Sequence, residues 1–100
     1  LDVIVILKGA YSIIATPSGD FLFNSSGNQG MATAGSGDAL TGVIGSLLAQ
    51  KYLPREAAIV GVFAHGLAGD LAAKLYGKRS VIASAIVDQI PAAFKAIEKI

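Results

Sequence analysis

Val3-Ile4-Val5-Ile6-Leu7 is an unbroken apolar run, mostly β-branched, the pattern of a strand covered on both faces. Lys8-Gly9 ends it. Ser12-Ile13-Ile14-Ala15-Thr16 is a second strand candidate and Phe21-Leu22-Phe23 a third. Between these two, Pro17-Ser18-Gly19-Asp20 has turn chemistry: proline fixes φ and glycine accepts a positive φ, so the pair is expected as a hairpin. Asn24 to Gly37 is rich in Gly, Ser, Asn and Thr and reads as a loop.

The period then changes. Leu40, Val43, Ile44, Leu47 and Leu48 make one apolar stripe at helical spacing, predicting a helix from about Gly37 to Lys51, with Lys51 near the negative end of its dipole. Pro54 opens a second helix, where a missing N–H costs little. Ile59, Phe63, Leu67, Leu71 and Leu75 recur along it at every fourth position, while Gly61, Ala64, Ala68, Gly69 and Ala72 leave room for another element to approach. Gly77 is placed to stop it. Ser84 is placed to cap a third helix carrying Ile86, Val87, Ile90, Phe94 and Ile97, with Pro91 bending or restarting it. A strand, a hairpin and then helices predict part of a layered α/β domain.

Composition sharpens that reading. Of 100 residues, 53% are hydrophobic and only 15% charged, whereas a small domain needs many polar residues to cover its surface. The chain is therefore expected to bury surface against something else. It starts at Leu1, almost directly on a strand, and reads as the C-terminal piece of a longer protein whose N-terminal portion is missing. The net charge of +1 offers no basic stripe for nucleic acid. Cysteine is absent, which leaves no disulfide framework or thiolate metal site and fits a cytoplasmic protein. No segment reads as membrane-spanning: Ala39 to Gln50 is uncharged but 12 residues long, and a spanning helix needs about 20.

The chemistry concentrates in Gly27-Asn28-Gln29-Gly30-Met31-Ala32-Thr33-Ala34-Gly35-Ser36-Gly37-Asp38. Gly35 and Gly37 bring bare backbone N–H groups together where a helix begins, and the positive end of the helix dipole adds to them. Gly35, Ser36 and Gly37 are thus a candidate anion hole for a transferred phosphoryl group. Asp38 is the sole ionisable side chain between Asp20 and Lys51. A carboxylate beside an anion site suits a base that takes a proton from a hydroxyl as it attacks phosphorus. It equally suits an ordinary acid favoured in a first helical turn. A dinucleotide fingerprint would need glycine at Leu40, and a P-loop would need lysine after its last glycine, so neither motif fits.

Gly30-Met31-Ala32-Thr33 followed by Gly35-Ser36-Gly37-Asp38-Ala39-Leu40-Thr41-Gly42 resembles the signature of the NAD(P)H-hydrate dehydratases, in the ribokinase-like superfamily. Leu7-Lys8-Gly9-Ala10 resembles that family's nucleotide-contacting segment, and His65-Gly66-Leu67-Ala68-Gly69-Asp70 its helix beyond the signature. The resemblance implies a C-terminal portion of a three-layer α/β/α domain. It also implies repair of hydrated NADH or NADPH: ADP or ATP phosphorylates the ring hydroxyl, and elimination of phosphate restores the cofactor. By position, Lys8, Gly9, Ala10, Tyr11, Ser12 and Gly37 would line the nucleotide site. Asp38 would contact the hydrated substrate as base, and Mg²⁺ would accompany the nucleotide. A homo-oligomer is expected.

Three positions depart from the family pattern: Gln29 for proline, Ala34 for glycine and Ser36 for threonine. A positive φ at Ala34 would strain the loop. His65, the one histidine, lies among small and apolar residues and reads as a packing or hydrogen-bonding group rather than a catalytic one. Asp70 reads as a polar-face or helix-packing acid, and Lys78-Arg79 as a solvated basic loop. Two other functions share the same loop physics: a sugar or vitamin-precursor kinase, and a non-catalytic nucleotide-binding fragment.

Overall fold

Three short strands form an antiparallel meander, β1 (Val5–Leu7), β2 (Ser12–Ala15) and β3 (Phe21–Asn24), in the order β1-β2-β3. They belong to a computed structural model that describes residues 4–7, 12–24, 26–31 and 33–98. Register sets which side chains share a face. Ile6, Ile14 and Leu22 lie opposite one another across the sheet, as do Val5, Ala15 and Phe21. The first row packs inward with Leu40, Ala58 and Val62. The second row faces outward, leaving Val5 44% and Phe21 65% exposed.

Of the two covered faces expected for the first strand, this chain itself covers one. An antiparallel meander needs only one covered face, and this chain supplies helices for one. Thr16 closes the predicted turn: its N–H donates to the Asp20 carbonyl at 3.0 Å, and its own carbonyl accepts from Gly19 at 3.0 Å, with Gly19 at φ +90°.

Three helices form the second layer: α1 (Ser36–Ala49), α2 (Pro54–Tyr76) and α3 (Ala83–Glu98), with 3₁₀ turns at Gln29–Met31 and Lys78–Ser80. The end of α1 is a Schellman motif. The Tyr52 N–H donates to the Leu47 carbonyl at 3.1 Å and the Lys51 N–H to the Leu48 carbonyl at 3.0 Å. That closure puts Lys51 at φ +73°, the one non-glycine residue with positive φ among the described residues. A side chain there costs about 1 kcal/mol or more, part of which glycine returns as unfolded-state entropy. Lys51→Gly is expected to stabilise the protein by about 0.5 kcal/mol, read as a raised midpoint in urea unfolding at unchanged slope.

Helix α2 buries the opposite residues from those its large side chains suggest. Its buried positions are Ala57, Ala58, Gly61, Val62, Ala64, His65, Gly66, Ala68, Gly69 and Ala72, whereas Leu75 is 63% exposed. Small residues let neighbours come close: a Cβ at Gly61 would lie 2.6 Å from Ile44 Cγ1 of α1. α2 is long and apolar enough to cross a membrane by length and composition, a property the sequence reading missed. Half of its apolar window is buried inside the protein, packed against α1, α3 and the glycine-rich loop, as in a core helix.

Gly77 ends α2 at φ +84°, as expected. α3 begins at Ala83, so Ser84 lies within the helix rather than capping it. The helix runs continuously through Pro91, which lacks the N–H that would bond the Val87 carbonyl. Ile86 is fully buried with Ala68, Ala72, Val81, Ala85 and Ala93, and Val87 points outward, 50% exposed.

Candidate anion-binding turn and its carboxylate

Helix α1 starts on Gly35, whose φ of +85° only glycine adopts without strain. The Ala39 N–H donates back to the Gly35 carbonyl at 3.0 Å. The Ser36 N–H donates to the Thr33 carbonyl at 3.2 Å. Of the three residues expected to form the anion hole, Ser36 therefore has its amide committed to the loop. Among the described residues no carbonyl or side chain accepts from the amides of Gly35, Gly37 or Asp38. These are the orphan donors of a helix start. The Gly37 site is open, with nothing within 4 Å of where a Cβ would stand.

Asp38 is exposed in the same first turn. Its carboxylate joins no hydrogen bond or ion pair among the described residues. The acid is not folded into the interior, and it stands beside free amides. That pairing is what a base acting next to a bound phosphoryl group requires.

Two groups on α2 hold the loop that delivers this turn. At its entrance, Asp70 Oδ2 accepts from the Gly27 N–H and Asp70 Oδ1 from Asn28 Nδ2, each at 2.9 Å. Asn28 Oδ1 in turn accepts from the Gly30 N–H at 2.9 Å. At its exit, buried His65 donates from Nε2 to the Ser36 carbonyl at 3.0 Å, with Ser36 Oγ 3.4 Å from the same nitrogen. A carbonyl only accepts, so Nε2 carries a proton. The sequence singled out His65 as a hydrogen-bonding residue, and its partner is the candidate site itself. It treated Asp70 as a packing or surface acid and missed its hold on the loop. The available signal was an acid standing in a run of glycines, alanines and leucines.

Glycines on α2 give the loop its seat. At Gly66 a Cβ would collide with Ser26, and at Gly69 with Met31. Ala34 does not adopt a positive φ, so the departure from glycine there carries no backbone strain. Gln29 begins the 3₁₀ turn. Lys78 and Arg79 are exposed.

Lys8, Gly9, Ala10 and Tyr11, expected at the nucleotide, lie outside the described residues. Their flanks do not: Leu7 ends β1 and Ser12 begins β2, paired with Asn24 at the end of β3. Leu7, Ser12 and Asn24 thus lie at one end of the sheet, the end from which the glycine-rich loop leaves. Among the described residues no three His, Cys, Asp or Glu side chains gather as a metal site.

The family model for NAD(P)H-hydrate dehydratase matches residues 1–92. A bifunctional NAD(P)H-hydrate repair enzyme of Moorella thermoacetica is 45% identical over 96 residues, covering 96% of this chain and 18% of that protein. The ADP-dependent (S)-NAD(P)H-hydrate dehydratase of Bacillus subtilis is 33% identical over 98 residues, covering 98% of this chain and 36% of that protein. A crystal structure of the ADP/ATP-dependent NAD(P)H-hydrate dehydratase from Bacillus subtilis, co-crystallised with ATP/Mg²⁺, matches with a TM-score of 0.89 at 32% identity, over 96% of this chain and 35% of that one. The chain thus spans only 18% of the bifunctional relative and 36% of the single-function one. Its two layers are part of the ribokinase-like, carbohydrate-kinase-like fold of those neighbours. In sequence, in fold and in the glycine-aspartate turn that both converge on, this chain belongs to the NAD(P)H-hydrate dehydratase family.

Proposed function

We propose that this chain supplies the phosphoryl-binding turn and the catalytic base of a nucleotide-dependent NAD(P)H-hydrate dehydratase, a carbon-oxygen lyase. The observation that carries the reading is the exposed Asp38 carboxylate on the same helical turn as the free Gly37 and Asp38 amides. Asp38 takes the proton of the ring hydroxyl as that oxygen attacks the terminal phosphorus of ADP or ATP. The bond from phosphorus to the leaving nucleotide breaks, and the turn amides stabilise charge on the transferring group. Loss of phosphate from the ring carbon, with a proton from the neighbouring carbon, restores the double bond of NADH or NADPH.

Exposure of Asp38 lets it return the captured proton to solvent. Lys8, Gly9, Ala10, Tyr11 and Ser12 line the nucleotide site with Gly37. Mg²⁺ would accompany the nucleotide and neutralise its phosphates; among the described residues no three acids gather to hold it alone. The reading places the enzyme in the cytoplasm as a homo-oligomer that binds hydrated cofactor and adenine nucleotide, without nucleic acid or membrane.

The test is to incubate the full-length protein with hydrated NADH or NADPH, Mg²⁺ and ADP or ATP. The expected result is nucleotide-dependent return of reduced-nicotinamide absorbance. Phosphorylation of a sugar or vitamin precursor with no repair would make it a kinase. Nucleotide binding without turnover would leave a non-catalytic role.

A further inference from the structure

We infer that His65 is a positioning residue for the phosphoryl-binding turn: it fixes the first turn of α1 from the core side and so leaves that turn's amides free for an anion. This rests on the function proposed above. A helix start is usually secured by a Ser, Thr, Asp or Asn side chain that accepts from the second or third amide of the helix. In α1 those amides belong to Gly37 and Asp38, the donors an anion needs. The N-cap residue is Gly35, and no side-chain cap bond forms. An uncapped start loses a restraint, and one made of glycines has little stiffness of its own.

His65 supplies the restraint by another route. Its Nε2–H bonds the Ser36 carbonyl at 3.0 Å, an acceptor, so the fastening consumes none of the free donors. The ring is 4% exposed and approaches from α2, on the packed side of the turn, while Gly37 and Asp38 are exposed. Among the described residues His65 therefore touches the turn and not the Asp38 carboxylate. It acts through the placement of the two amides and of the Asp38 carboxylate, where errors on the order of 1 Å can cost about a hundredfold in rate.

Three substitutions in the full-length protein test this. His65→Leu keeps an apolar body and removes the donor. His65→Gln carries an amide nitrogen about as far from the backbone as Nε2, and His65→Asn places one nearer the position of Nδ1. In His65→Leu, kcat is expected to fall at least about tenfold, with the nucleotide KM changed less. His65→Gln should recover most of that loss and His65→Asn little of it. Exchange of the Ala39 amide, which bonds the Gly35 carbonyl, and of the Leu40 amide in the next turn of α1 needs no turnover and should accelerate in the Leu and Asn variants and stay slow in Gln.

An unchanged kcat and unchanged exchange in His65→Leu would overturn the inference while leaving the proposed reaction standing. Equal losses in all three variants would also overturn it, reducing His65 to a packing residue. If the wild-type protein repairs no hydrate but the exchange pattern holds, the reaction fails and the role of His65 at the turn survives.

Discussion

Asp38→Asn is expected to lower hydrate turnover in the full-length protein by about a thousandfold, within the range that loss of a general base produces, while nucleotide affinity stays within a few-fold. Asparagine keeps the size of the side chain and removes its basicity. The carboxylate is exposed and bonded to nothing else among the described residues, so the substitution breaks no packing. The effects on rate and fold therefore separate. If Asp38 were only a favourable acid near a helix start, its replacement would cost about 0.3–1 kcal/mol of stability and leave turnover intact. Steady-state kinetics, nucleotide titration calorimetry and thermal unfolding of the same variant distinguish the two roles. Normal turnover would remove Asp38 from the mechanism. The nucleotide should still bind, because the carboxylate serves the substrate hydroxyl and repels phosphate rather than holding it.

The elements that were legible in the sequence are those set by local chemistry. Gly19 and Gly77 mark a turn and a helix end because each adopts a positive φ, and Pro54 opens α2 because its missing N–H is spared there. Helix faces proved harder to read. Large residues repeating every fourth position on α2 look like a stripe, yet the helix advances 3.6 residues per turn, so each step drifts by about 40°. From Ile59 to Leu75 the row winds through about 160° and cannot stay on one face. The glycines and alanines, which carry no hydrophobic signal of comparable size, mark the packed side instead.

The same division holds at the site. The free amides and Asp38 were legible because glycines, a helix start and one acid are contiguous in the chain. What holds them was not. Asp70 meets Asn28 across 42 positions and His65 meets Ser36 across 29, and no spacing rule connects such pairs. The family resemblance carried the His65-to-Asp70 segment as a motif without saying what its polar residues touch. The structure supplies that part: one helix grips the loop at both ends.

Gly66→Ala tests that grip from its most crowded point. A Cβ there would run into Ser26 Oγ and come within 2.9 Å of the Ser26 carbonyl carbon and Cβ. A rotamer change could move the hydroxyl, but the carbonyl carbon is backbone and yields only if the loop lifts. Ser26 precedes Gly27 and Asn28, the two residues Asp70 holds at 2.9 Å, so lifting the loop stretches both bonds. The substitution is expected to destabilise the protein by about 1–3 kcal/mol, the usual cost of overpacking. It should also lower turnover, because the displaced segment leads into the Gly35 turn. Gly45→Ala is the matched control. Gly45 lies within α1 with nothing within 4 Å of its Cβ position, and there the same methyl group should add about 0.5–1 kcal/mol through helix propensity alone. Opposite signs from one chemical change, read as shifts in unfolding midpoint, would show that the contact between α2 and the loop sets the outcome. A Gly66→Ala protein as stable and active as wild type would mean that the loop does not depend on its seat against α2.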